Sequence, residues 1–315
     1  MVRERKAVQQ EMKEADAAVS HEERDKNQAE MLKLVFVAYF RILKARKPGL
    51  MGAVLEGLAR YAHLINQEFF GDILEALRDL ISSASVSGED AHDDEHIDDG
   101  AEEEGQRDIN RESLLCVITA FALLQGQIDV VKSATSLHLD LNFFITHLYR
   151  TLLSASMNPD LELSSKSLHL PDPETRERRT DSTKVNAQTS IVLLLRSLSS
   201  VLQPPINTRA VPPLRVAAFT KQLLTASLQL PEKSALAMVG LLRQVMRVHG
   251  FKVAALWFSE ERRGDGTFDP LRDEVEGSNP FAATVWEGEL LRLHYCPAVR
   301  EGIQGLEKSV LKSRA

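Results

Sequence analysis

YFRILK, from Tyr39 to Lys44, followed by VLEGLARYAHLINQEFFGDIL, from Val54 to Leu74, is the stretch that decides the fold. Met51, Val54, Leu55, Leu58, Ala62 and Ile65 recur with a period near 3.6, so they share one face of a helix. Asn66 suits the N-cap of the next helix, whose stripe is Phe69, Phe70, Ile73, Leu74, Leu77, Leu80 and Ile81. Upstream, Met31 to Leu43 is apolar on nearly every side apart from Lys33 and Arg41. That pattern predicts a helix in the middle of a packed array. Lys44, Arg46 and Lys47 suit its negative end, and Pro48-Gly49 stops it. Helices joined this tightly fold back as antiparallel neighbours.

The same reading extends along the chain. Asn110 is expected to cap LLCVITAFALL, and Asp140 to cap LNFFITHLYRTLL. A further helix runs through IVLLLRSLSSVL to Pro204-Pro205, and Pro212-Pro213 opens the next. Pro231 is placed at the first helical position of SALAMVGLLRQVMRVH, which Gly250 closes. The last helical regions are Trp286 to Tyr295 and, after Pro297, a tail to about Leu311. No segment alternates with period 2. The expected class is all-α, a HEAT-like α-solenoid of antiparallel helix pairs with long acidic and polar inserts. Residues 1–157 form an N-terminal array with a disordered acidic insert at 84–109. Residues 158–180, with Pro159, Pro171 and Pro173, are a linker, and 181–315 form the C-terminal domain.

The chain has 315 residues, of which 43% are hydrophobic and 26% charged, the composition of a globular protein with a real core. Net charge is -7, yet ten acids and no Lys or Arg lie between Glu89 and Glu104. Without them the remaining chain is net positive by three. This excludes a strongly cationic nucleic-acid clamp and permits patchy phosphate contacts. Cys116 and Cys296 lie far apart and predict no disulfide framework. The first residues lack the apolar core of a signal peptide, and no apolar run is long enough to span a bilayer.

Chemistry-bearing motifs are few. There is no phosphate-binding glycine loop and no nucleophile elbow. His92 and His96 have helical spacing but sit in the acidic insert, and Cys296 two residues after His294 lacks a second ligand pair. No catalytic, cofactor or metal residue is assigned. Three basic groups could meet RNA phosphate or a nuclear import receptor: Arg3-Arg5-Lys6, Arg176-Arg178-Arg179 and Arg262-Arg263. Arg60, His63 and Asn66 are polar residues in an otherwise apolar hairpin, placed to seal helix ends or touch a partner.

Several of these segments, in order, resemble a known family. YFRILK and VLEGLARYAHLIN are similar to the hallmark of the nucleolar complex protein 3 family, SLLCVITAFALLQGQ to its next segment, and FFITHLY to the one after. FDP at Phe268 to Pro270, SNPF at Ser278 to Phe281, Trp286-Glu287 and LHYCP at Leu293 to Pro297 resemble the CCAAT-binding-factor-type C-terminal domain that nucleolar complex proteins share. Cys296 departs from the family's usual His. Family members are about twice this length, so the resemblance implies that this chain corresponds to the C-terminal half and that Met1 is an internal methionine, a gene-model start or the boundary of an expressed piece.

The resemblance implies a non-enzymatic scaffold of 60S large ribosomal subunit biogenesis, located in the nucleolus and nucleus, with no cofactor. The implied partners are nucleolar complex protein 2, pre-60S particle proteins and pre-rRNA. The alternative is an adaptor in DNA replication initiation, meeting origin-recognition and helicase-loading proteins. Partner or RNA contact is expected at Arg41, Lys44, Arg60, His63, Arg176, Arg178, Arg179, Trp286, His294 and Tyr295.

Overall fold

The structure is a computed structural model that describes residues 26–28, 30–65, 69–89, 99–125, 141–158, 161–162, 189–204, 211–258, 265–272 and 274–314. These residues are helix, turn and connecting chain, with no strand among them. The protein is all-α, as expected. It divides into two compact units, Met1–Val54 and Leu55–Ala315.

In the first unit, helix α1 covers 30–45. Phe36 and Leu43 are buried and Tyr39 and Phe40 half-buried, which is one stripe at i, i+3, i+4 and i+7. Met31, Leu34, Val35 and Val37 face solvent, Leu34 with 70% of its surface exposed. The all-round burial expected of this helix does not occur: among the described residues of α1 only this stripe is covered. Arg46 takes a left-handed conformation, φ 47°, which ends α1. Pro48 then opens helix α2, Pro48–Tyr61, so the same proline that ends one helix begins the next.

The second unit takes in the rest of α2. Its stripe continues as expected, with Leu55, Leu58, Ala62 and Ile65 buried. A tight turn, Ala62–Leu64, precedes α3, Phe70–Glu89. Then come α4, Asp99–Gln125, and α5, Asn142–Ser156. Next are α6, Ser190–Leu202, α7, Pro213–Ser227, and α8, Glu232–Val253. A short α9, Glu287–Leu291, and α10, Pro297–Arg314, end the chain.

Sequence-adjacent helices pack together in α3–α4, α4–α5, α7–α8 and α9–α10. Helices two apart pack as well: α4 on α6, α6 on α8, α8 on α10, and α5 on α7. The α8–α10 contact is the most extensive. α4 lies where several of these meet, so every residue from Ser113 to Ala120 is buried. The Thr119 hydroxyl donates inward to the carbonyls of Leu115, at 2.8 Å, and Leu55, at 3.1 Å.

Several expected boundaries move. Helix is present to Glu89 and again from Asp99, so much of the 84–109 insert is helical and Asn110 lies inside α4 rather than capping it. Asn66, Asp140, His92 and His96 lie outside the described residues. Pro231 is the N-cap of α8 rather than its first residue. Gly250 does not close that helix, which continues to Val253. Its missing side chain instead admits α10, since a Cβ there would sit 2.5 Å from Ser313 Oγ. Helix in the 286–295 region is confined to α9.

Helices from both sides of 158–180 pack on one another: α4 on α6, α5 on α6 and α5 on α7. The described start of that segment is tied into them. Leu161 is buried and its carbonyl accepts from Ile191 N–H at 3.3 Å. Glu162 Oε1 accepts from both the backbone N–H, at 3.1 Å, and the hydroxyl, at 2.6 Å, of Ser234 in the first turn of α8.

Candidate partner-binding surface

The segment between α8 and α10 carries little helix, so polar bonds must hold it. Gly266, with φ 92°, makes the first turn. Asn279, also left-handed at φ 54°, donates from Nδ2 to the Asp265 carbonyl at 2.6 Å. Asp269 N–H bonds the Ser278 carbonyl at 3.0 Å, and Asp269 Oδ1 accepts from Leu271 N–H at 3.0 Å. Val285 N–H bonds the Leu256 carbonyl at 2.9 Å, which closes the segment onto the end of α8.

At its centre is a buried cation. Lys221, in the middle of α7, has no exposed surface. Its ammonium donates to Glu287 Oε1 at 2.7 Å, Glu287 Oε2 at 2.8 Å and the Thr284 carbonyl at 2.7 Å, which uses all three protons. The Thr225 hydroxyl lies 3.1 Å from Glu287 Oε1. The rings of Phe268 and Trp286 each lie 5.6 Å from Lys221 Nζ. Burial pushes the Lys221 pKa down, and the Glu287 carboxylate opposes that shift. Phe268 of the FDP motif and the Trp286-Glu287 pair thus converge on one lysine that the sequence reading did not single out. A charge among the apolar residues of α7 was the available signal.

The clamp fixes α9 with Glu287, Gly288 and Leu291 inward. Trp286, Leu290, Leu293 and Tyr295 therefore face outward, with 53, 50, 82 and 72% of their surfaces exposed. Tyr295 stacks on His294, ring centroids 4.4 Å apart. His294 Nδ1 accepts from Cys296 N–H at 3.1 Å, and Arg300 donates to the carbonyls of His294 at 2.7 Å and Tyr295 at 3.0 Å. The Cys296 thiol is buried and donates to Glu232 Oε1 at 3.0 Å. These large side chains, held out into solvent by the hydrogen bonds around them, form a strip that is a candidate interaction surface.

The other expected contact residues lie elsewhere. Arg60 and His63 are exposed at the end of α2 and in the following turn, with Arg60 over the Tyr61 ring at 5.8 Å. Arg41 and Lys44 are exposed on α1, in the first unit. Arg176, Arg178 and Arg179 fall outside the described residues. Among the described residues of the second unit, Trp286, His294 and Tyr295 lie on the one segment that the clamp holds.

This strip and its clamp lie within residues 113–303, which match the model of the CBF/Mak21 family. The chain belongs to the CBF/Mak21 family. It is also similar to curated relatives. It is 36% identical to nucleolar complex-associated protein 3 of Schizosaccharomyces pombe, over 98% of this chain and 38% of that protein. It is 35% identical to the Saccharomyces cerevisiae protein of the same name, over 90% of this chain and 39% of that protein. Against the human nucleolar complex protein 3 homolog it is 34% identical, over 93% of this chain and 29% of that protein. The chain thus spans less than two fifths of the length of these relatives. The family match begins inside α4 and ends inside α10, so it encloses the clamp and leaves out α1 to α3.

Proposed function

We propose that this chain is a non-catalytic scaffold of 60S ribosomal subunit assembly in the nucleolus and nucleus. It docks a sister nucleolar complex protein of the nucleolar complex protein 2 type and contacts pre-rRNA of the pre-60S particle. The observation that supports this reading most is the similarity, over nine tenths or more of the chain, to proteins named for a nucleolar complex. The strip Trp286, Leu290, Leu293 and Tyr295 supports it as a place for a protein partner. We infer further that α4 to α10 stack as HEAT-like pairs, the arrangement in which helices two apart become neighbours.

Affinity purification from growing cells, with mass spectrometry and RNA sequencing, tests this. The expected recovery is the sister protein, large-subunit assembly factors and large-subunit pre-rRNA. Leu293→Glu with Tyr295→Ala is expected to lose the sister protein while the variant stays folded, because both side chains are largely exposed. Recovery of origin-recognition and helicase-loading proteins without pre-rRNA would replace this reading with replication initiation.

A further inference from the structure

Helices α8 and α10 run parallel and unusually close. A Cβ on Gly302 would sit 3.0 Å from Val239 Cγ1, one on Gly305 3.4 Å from the guanidinium carbon of Arg243, and one on Gly250 2.5 Å from Ser313 Oγ. Residue numbers rise together along both helices, from the 239–302 level through 243–305 to 250–313. The missing side chains let the flanking rows of the two helices meet on one surface.

On α8 the flanking row is Leu236, Gly240, Arg243, Arg247 and Phe251, spaced three or four residues apart. Arg243 and Arg247 are exposed, and Phe251 has 73% of its surface in solvent. On α10, Lys308 and Lys312 follow Gly305 at i+3 and i+7, so they continue the row over which Arg243 lies. Both are exposed. Glu301, one turn before Gly305, is the acid of that row.

These four cations form no ion pair among the described residues. Three other cations of the unit are paired among the described residues: Arg215 with Glu276, Lys221 with Glu287, and Arg292 with Glu289 and Glu307. A ridge of four unneutralised cations beside one protruding ring is poorly explained by packing. It has the composition that single-stranded nucleic-acid sites use, cations for the backbone and an aromatic face for a base.

We propose that Arg243, Arg247, Phe251, Lys308 and Lys312 form a binding ridge for single-stranded RNA. The cations meet successive phosphates, and Phe251 stacks on a base. None of these residues was marked by sequence, and two of them lie beyond the family match, which ends at residue 303. The inference rests on the pre-rRNA contact proposed above and assigns that contact to a surface distinct from the Trp286–Tyr295 strip.

Fluorescence anisotropy of the full chain with a labelled single-stranded RNA of mixed sequence, between 50 and 200 mM salt, tests it. With four phosphates neutralised, log K is expected to fall against log salt with a slope of about -3. Changing all four cations, R243Q/R247Q/K308Q/K312Q, is expected to flatten that slope and cost at least about tenfold in affinity at 50 mM salt. Phe251→Ala is expected to lose about 5- to 100-fold with the slope unchanged. Circular dichroism melts check that the variants remain folded.

Equal RNA binding by the wild-type and quadruple proteins would overturn the ridge while leaving RNA contact in place. No RNA binding by the wild type, with intact pre-60S recovery from cells, would overturn the RNA contact itself. Binding of polyglutamate as tightly as RNA would replace RNA with an acidic protein partner.

Discussion

Helix α7 buries Thr220, Lys221, Gln222 and Ser227 completely, whereas α1, with more apolar side chains along its length, leaves Met31, Leu34, Val35 and Val37 in solvent. The difference is one of surroundings. α7 is packed by α5, α8, α9 and the turns at 276–278 and 280–282, so no residue from Val216 to Ser227 is exposed. Its hydroxyls are satisfied within the helix, Thr220 to the Val216 carbonyl at 2.6 Å and Ser227 to the Leu223 carbonyl at 2.7 Å. Its buried charge, Lys221, has a full set of partners in Glu287 and Thr284. α1 buries one stripe only. Burial thus follows the number of packed faces, and Thr220, Lys221 and Ser227 tolerate it because each has its donors used.

The largest expected effect tests the charge on α7. Glu287→Ala leaves the Lys221 ammonium buried with the Thr284 carbonyl as its remaining acceptor. Breaking a buried pair from one side costs about 3–5 kcal/mol. Urea unfolding followed by circular dichroism measures it. The double change Lys221→Met with Glu287→Leu removes both charges and is expected to recover most of that loss, since an apolar substitute for a buried pair is often neutral. A single variant as stable as the wild type would mean that the clamp does not hold the segment carrying Trp286 and Tyr295.

His147 on α5 supplies the opposite case, a buried polar atom without a partner. Its Nε2 is buried and unbonded among the described residues. Burial first, and the Arg150 charge second, push its pKa from 6.5 down to about 4. Above pH 6.5 the imidazole is neutral in both folded and unfolded chains. Between about 6.5 and about 4 the unfolded chain takes up a proton that the folded one refuses, so stability falls as pH falls. The loss is up to about 1.4 kcal/mol per pH unit across that window. His147→Gln is expected to flatten the dependence in unfolding titrations run from pH 7 to pH 4. An unchanged slope would assign the acid sensitivity to other groups, with His249, also held low by burial, the next to change.

Two glycines separate packed from open helix faces more finely. Gly302→Leu drives a side chain into Val239 and is expected to cost about 1–3 kcal/mol by overpacking. Gly240 has nothing within 4 Å of its missing Cβ, so Gly240→Ala is expected to stabilise α8 by about 0.5–1 kcal/mol. Thermal melts of the two variants should move in opposite directions. Movement in the same direction would contradict the close α8–α10 approach on which the basic ridge depends.

Periodicity made most of the helices legible. The stripe Met51, Val54, Leu55, Leu58, Ala62 and Ile65 is buried as its spacing predicts, and the tail helix after Pro297 is present. The clamp was only half legible. Phe268, Trp286 and Glu287 stood out as motif residues, but Lys221 lies 66 residues before Glu287, and no local pattern ties the two. The ridge was illegible because Arg243, Arg247, Lys308 and Lys312 become neighbours only when α10 settles on α8. The role of Gly250 was misread for the same reason: a glycine that admits a distant helix looks, in one dimension, like one that ends its own.

The smallest expected effect concerns α1. Leu34 has 70% of its surface exposed, so Leu34→Lys removes little burial. Surface substitutions of this kind change stability by no more than about 0.5 kcal/mol. The same change at Leu58 on α2, which has no exposed surface, is expected to cost far more than at Leu34, because it buries an unpaired ammonium. The contrast works only if the Leu34 face is open in solution. A Leu34→Lys variant that loses several kcal/mol, measured by the same urea titration, would mean that α1 has a second packed face, and its apolar composition would then have the explanation that α4 already has.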